Sequence, residues 1–162
     1  MFREMRRKKQ LLPEAESLEI LKKHTSGVLG VSGDNGYPYT VPLSYTYQDH
    51  KLYFHCAKTG HKLDGIKHND KVTFCVIDQD EVKQATFTTH FRSVIVFGRA
   101  KILTEYGEKR AALESLVEKY SPAYIAEGQQ EIERDWNEVC LVEVSIEHLT
   151  GKAAIELFKN KE

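Results

Sequence analysis

Closely paired cysteine is the first thing missing from this chain. Its 162 residues contain three cysteines, Cys56, Cys75 and Cys140, an odd number with no CxxC spacing. This argues against a disulfide-framed secreted module. Cys75 lies in "KVTFCVID" and Cys140 in "VCLVEV", both strand-like, so buried free thiols and a reducing compartment are expected. There is no HExxH, and no His/Cys pair has ligand spacing of a known type, so no metal site is expected.

An excess of one charge is missing too. Lysine and arginine number 23 against 24 aspartates and glutamates, a net charge of −1. A dedicated nucleic-acid binder is usually strongly basic, so that class is disfavoured while a local basic site stays open. No apolar run approaches the roughly 20 residues of a membrane span. The opening "MFREMRRKKQLL" is basic but lacks the apolar core of a secretory signal, and a cytoplasmic protein is expected. The glycines form neither GxGxxG nor GxxxxGK[ST], so neither a dinucleotide-binding βαβ unit nor a P-loop is supported.

What is present suits one globular domain over residues 1–162, with 1–12 as a basic arm and 151–162 as a tail. Hydrophobic residues make up 41% and charged residues 29%, an ordinary composition for a chain able to bury a core. "PEAESLEILKKHTSG" has the pattern of a helix with Pro13 in its first turn. "VLGVS" follows as a short strand. "YPYTVPLSYTY" alternates along its length, with Pro42 marking it as an edge or bulged strand. "QDH" then turns the chain into "KLYFHC", a hairpin.

A short helix over roughly Gly60–Lys67 precedes the strand "KVTFCVID". "TTHFRSVIVFGRAKILT" is a long strand, apolar on both faces from Val94 to Phe97, which should sit centrally or face a partner chain. "EKRAALESLVEKY" is amphipathic at helical spacing. "SPAYIAEGQQEIERDW" is a second helical piece, "NEVCLVEVSIEHL" a closing strand, and "TGKAAIELFKN" trails off it. Six or so strands joined mostly by hairpins predict an antiparallel β-barrel with peripheral helices.

Nitrogen donors crowd one junction, "HCAKTGHKLDGI". Lys58, His61 and Lys62 lie at a helix start, where unpaired N–H groups and the positive end of the helix dipole favour an anion, with phosphate the obvious candidate. A solvated basic rim is the plainer alternative. His55 lies on the strand face opposite Leu52, Phe54 and Cys56, and an ordinary imidazole suits proton transfer. It could equally be a satisfied strand histidine. Arg92 and Ser93 interrupt an apolar strand, and a buried guanidinium needs a partner. That partner is either a carboxylate of the chain or a ligand.

Taken in order, "VPLSY", "LYFHCAKTGHKLDGIKHNDKVTFCV" and "FRSVIVFGRA" resemble the flavin-binding split barrel of the pyridoxamine 5′-phosphate oxidase-like superfamily. Within it the chain is most similar to the 5-nitroimidazole-resistance (Nim) proteins, which "MRRKKQLL" and "IEHLTGK" also fit. The resemblance implies a mainly β protein, an antiparallel split β-barrel of FMN-binding type, forming a homodimer with FMN at the subunit interface. It implies an FMN phosphate at His61 and Lys62, beside Lys58. It lines the flavin with Val41, Leu43 and Ser44 on one strand and with His55, Cys56 and Ala57 on the next. Arg92, Ser93 and Val94 face the cofactor from a third strand, and Lys152 approaches the cleft.

The resemblance also makes His55 the residue nearest the chemistry. The implied activity is reduction of small organic compounds, nitro compounds among them, with a reduced nicotinamide as donor. A flavin carrier or redox sensor, and a haem-binding split barrel, are the alternatives. No arginine-rich substrate-phosphate site occurs near the C-terminus, so oxidation of vitamin B6 is not expected.

Overall fold

Seven strands form one antiparallel sheet in the computed structural model, which describes residues 1–159. They are β1 (Ser26–Ser32), β2 (Pro38–Ser44), β3 (Thr46–Gln48), β4 (Lys51–Ala57), β5 (Lys71–Lys83), β6 (Thr88–Ile102) and β7 (Val139–Ala153). The helices are α1 (Glu14–Lys23), α2 (His61–His68), α3 (Tyr106–Tyr120), α4 (Ile125–Asp135) and α5 (Glu156–Lys159). Among the described residues no helix is long and apolar enough to cross a membrane.

The strand order, β2-β1-β5-β6-β7-β4-β3, puts β2 and β3 at opposite edges. Yet Tyr45 alone separates them in the chain. Two Cα–Cα steps reach only about 7 Å, so the edges must be brought together and the sheet must roll up. The result is an antiparallel barrel split at that seam. The alternation of residues 37–47 predicts a single strand, but it is cut at Tyr45. This residue is fully buried. Its hydroxyl donates to the Leu21 carbonyl at 2.7 Å, and its N–H donates to the Tyr120 hydroxyl at 2.9 Å.

Alternation places the core. On β6, Val94 and Val96 point inward while Ile95 and Phe97 point out. Leu29, Leu52, Phe54, Phe74, Val76, Val142 and Val144 fill the barrel with them, together with Ile20 and Leu21 of α1. Each such side chain contributes about 1.5–3 kcal/mol by leaving water. A second cluster lies outside the wall, where Leu141 and Tyr53 pack beneath Leu113 and Leu116 of α3 and Ile132 of α4.

Two local features position the candidate site. The β3–β4 hairpin turns on Asp49 and His50, both at positive φ (48° and 59°), the two-residue turn whose twist matches paired strands. Gly65 lets α2 lie directly on β1, since a Cβ there would sit 2.6 Å from the Ser32 carbonyl oxygen.

Two strands outrun their expected ends. β5 continues beyond Asp78, which is bulged out of register between Ile77 and Gln79. β7 continues through Gly151 and Lys152 to Ala153, because the long β6 still offers partners there and Leu11 bridges Lys152 from the N-terminal side. Residues 160–162 of the expected tail lie outside the described residues.

Candidate functional site

β4 delivers the chain to α2 through Lys58, Thr59 and Gly60. Gly60 has φ +137°, with nothing within 4 Å of the Cβ position, so backbone conformation and not crowding is what calls for glycine. Its carbonyl accepts the N–H groups of Leu63 and Asp64 at 2.9 and 3.1 Å. Among the described residues no side chain caps the helix. The amides of His61 and Lys62 therefore stand at the positive end of the dipole without intrahelical partners.

The His61 ring is held against Tyr39, centroid to centroid 4.1 Å. Its Nε2 lies 3.6 Å from Oδ2 of Asp34, an exposed carboxylate that competes with any incoming anion. Lys62 is half-buried and Lys58 exposed. An uncapped helix start with His61 and Lys62 in its first turn and Lys58 just before it is a donor set of the kind that suits a phosphate monoester.

On β4, His55 is exposed between buried Phe54 and half-buried Cys56. It looks into a groove of about 620 Å³ roofed by α3 and α4. That volume is of the size used for small-molecule ligands. Ser44, Leu116, Tyr120, Tyr124 and Ile132 line the groove with His55, and Glu127, Glu131 and Asp135 of α4 stand along it. Burial raises the Tyr120 hydroxyl's pKa. Burial also pushes the Cys56 thiol up to about 11, with Cys140 adding to the rise and the Lys62 ammonium opposing it.

The expected residues fall into two groups. Ser44, His55, Cys56, Ala57, Lys58, His61 and Lys62 gather around the groove and the α2 start. Val41 and Leu43 share strand β2 with Ser44, but they pack against the barrel core. Arg92, Ser93, Val94 and Lys152 form the other group. Along β7, the partner of His55 is Leu141 and the partner of Ser93 is Lys152, near opposite ends of the strand.

Of the two partners left open for Arg92, the structure supplies the carboxylate. Its guanidinium is 3.1 Å from Glu16 and 3.5 Å from Asp78. The bulge turns Asp78 inward, where His24 Nε2 meets Oδ1 at 2.7 Å and Lys23 Nζ at 3.1 Å. Burial alone would raise the Asp78 pKa, but His24, Lys23 and Arg92 together hold it below the usual carboxylate range. Val94 is fully buried in the core, and the Lys152 ammonium lies 5.2 Å from the Phe91 ring centroid.

Sequence reasoning missed Tyr39 and Asp34 beside His61, and the α3–α4 lining of the groove. Nothing local marks them, because Tyr39 on β2, Asp34 in the turn before it and the α3–α4 residues meet the site only through the folding of distant segments together. The amphipathic pattern of α3 announced an apolar face without saying what lay beneath it.

The family model for pyridoxamine 5′-phosphate oxidase matches residues 13–153. Among curated proteins none matches the sequence. Similar solved structures include a candidate 5-nitroimidazole antibiotic resistance protein from Bacteroides thetaiotaomicron. It is 20% identical, with 88% of this chain and 86% of that one covered and a TM-score of 0.71. A conserved hypothetical protein from Mycobacterium tuberculosis is 19% identical over 93% and 90% of the two chains, with a TM-score of 0.79. An FAD-binding protein from Mesorhizobium loti is 26% identical over 89% and 95%, with a TM-score of 0.62.

Proposed function

The chain belongs to the pyridoxamine 5′-phosphate oxidase family, and from that premise we propose that it binds FMN and reduces small organic compounds, nitro compounds among them, using a reduced nicotinamide. One observation carries the reading. The uncapped start of α2, with His61 and Lys62 in its first turn and Lys58 just before it, gathers anion donors one short stretch of chain from an exposed His55 in an apolar groove. The likeness to an FAD-binding protein supports a flavin as the phosphorylated ligand.

A bound flavin supplies the electron and hydride transfer. The chain's own work is to hold and surround it. His61, Lys62 and the α2 amides anchor the phosphate. The main chain of β2 around Val41 and Leu43, with Ser44, Cys56 and Ala57, borders the ring. His55 faces the substrate side and hands a proton to the reduced product or orients the acceptor. The groove beneath α3 and α4 keeps water from the reacting atoms.

The reading includes a homodimer. Val28, Cys75 and Ile95 form one row across β1, β5 and β6 on the outer face of the barrel. Ile77 and Phe97 flank the row, and Ile77 is 63% exposed. A second copy packed on this face covers it and brings its Arg92, Ser93, Val94 and Lys152 segment toward the flavin held at the other copy's α2. Three free cysteines agree with a cytoplasmic location.

The test is the colour and chemistry of the purified protein. Flavin absorption bands, saturable binding of FMN in preference to FAD, and nicotinamide oxidation driven by a nitro acceptor are expected. Failure to take up either flavin overturns the reading. Flavin binding without turnover on any acceptor leaves a carrier or sensor, and a Soret band makes it a haem protein.

A further inference from the structure

Cys56 and Cys140 are far apart in sequence and directly opposite each other in the β4–β7 ladder. Directly opposed residues in an antiparallel pair have Cα atoms about 4.5 or 5.5 Å apart, according to the type of pair, and both distances lie within the range a disulfide spans. Their side chains turn to the same, inner face, where Cys140 packs in the core and Cys56 packs against it. Cys140 is buried (8% exposed) and Cys56 half-buried, so Cys56 is the more accessible of the two. Cys75, on β5, is not opposed by a cysteine.

The geometry points to a redox-active pair in which Cys56 and Cys140 are oxidised to a cross-strand disulfide by small-molecule disulfides. The Cys56 thiolate attacks one sulfur of the reagent R–S–S–R, whose S–S bond breaks and releases one RSH. The resulting mixed disulfide lies beside Cys140. The Cys140 sulfur attacks the Cys56 sulfur, the protein S–S bond forms, and a second RSH leaves. Two thiols lose two protons and two electrons, and one reagent disulfide becomes two thiols. The bond staples β4 to β7 at the foot of the segment carrying His55 and Lys62. It stands independently of the flavin reading, since no step involves a cofactor.

Burial places the cost on rate and not on feasibility. A thiol well above its ordinary pKa presents little thiolate at neutral pH, so exchange is slow there and quickens about tenfold per pH unit as the thiolate fraction grows.

The test uses the folded full-length protein incubated with oxidised glutathione at pH 7, 8 and 9. Samples are quenched in acid, unfolded, alkylated with N-ethylmaleimide and weighed by intact mass spectrometry. The expected product carries one maleimide instead of three and no glutathione, and its digest contains a Cys56–Cys140 linked peptide. C75S should lose both remaining thiols at the wild-type rate. C140A should instead stop at a stable glutathione adduct on Cys56. Retention of three alkylatable thiols at pH 9 would overturn the proposal. So would a lasting Cys56 adduct in the wild type, a linkage between two chains, or a rate unchanged from pH 7 to 9.

Discussion

Replacing Lys62 with alanine tests the phosphate site most directly. Among the described residues no carboxylate pairs with Lys62, which stands half-buried in the first turn of an uncapped helix. Its charge is therefore available to a ligand and not spent on the protein. A hydrogen bond to a charged group is worth about 1.5–3 kcal/mol, so Lys62→Ala should weaken FMN roughly ten- to 150-fold. The helix end, worth about 0.3–1 kcal/mol, and the His61 ring remain, so binding is weakened and not abolished.

Two controls isolate the phosphate. Lys8, exposed and paired with Glu4 at 2.8 Å, can be changed to alanine with little effect on FMN. Riboflavin, which lacks the phosphate, should bind wild type and Lys62→Ala equally. Flavin fluorescence titration reads all of these, and circular dichroism confirms that the variants are folded. Equal FMN affinity for the Lys62 and Lys8 variants would refute the placement. A matching loss of riboflavin binding would show that Lys62 supports the fold instead of the phosphate.

Asp34→Asn should tighten FMN by about two- to fivefold, because the exposed carboxylate near His61 repels a phosphate by an amount typical of surface charge pairs. Unchanged or weaker binding counts against His61 as an anchor. His55→Ala should retain flavin and dimer but lose turnover, checked by absorbance and nicotinamide oxidation. Colourless protein would make His55 a binding or structural residue. Ile95→Glu should leave the barrel intact and break the dimer, lowering the mass by light scattering from about twice 18.6 kDa to that of one chain. Asp78→Asn should cost about 1.5–3 kcal/mol at pH 7, measured by urea unfolding, as charged hydrogen bonds to His24 and Lys23 are lost. The folded-state pKa of Asp78 lies below its unfolded value of 3.8. Its contribution is therefore fully present above about pH 4 and lost as pH falls through the lower folded value. The gap between wild type and variant should close only in strong acid, and a gap that vanished between pH 5 and 7 would contradict this assignment.

The alternation of β4 is enough to set His55 outward and Phe54 inward. Gly60 and the donors around it announce the helix start at His61, and Val94 to Phe97 announce the two-sided apolar run of β6. These are local signals, carried within a few residues by the periods of strand and helix. Tyr45 shows where they stop. The residues around it alternate without interruption, and nothing nearby says that the chain must leave one edge of the sheet and join the other.

Asp78 is similar. It is one more residue of an apparent strand until the bulge turns it onto Arg92 and His24. The α3–α4 groove, the Tyr39 and Asp34 contacts of His61, and the pairing of Cys56 with Cys140 belong to the same class. The sequence by itself determined which residues face inward and where a helix begins with free donors. Tertiary structure alone decided which distant segments meet, because strand register is set by the joint packing of the whole barrel and no single segment carries it.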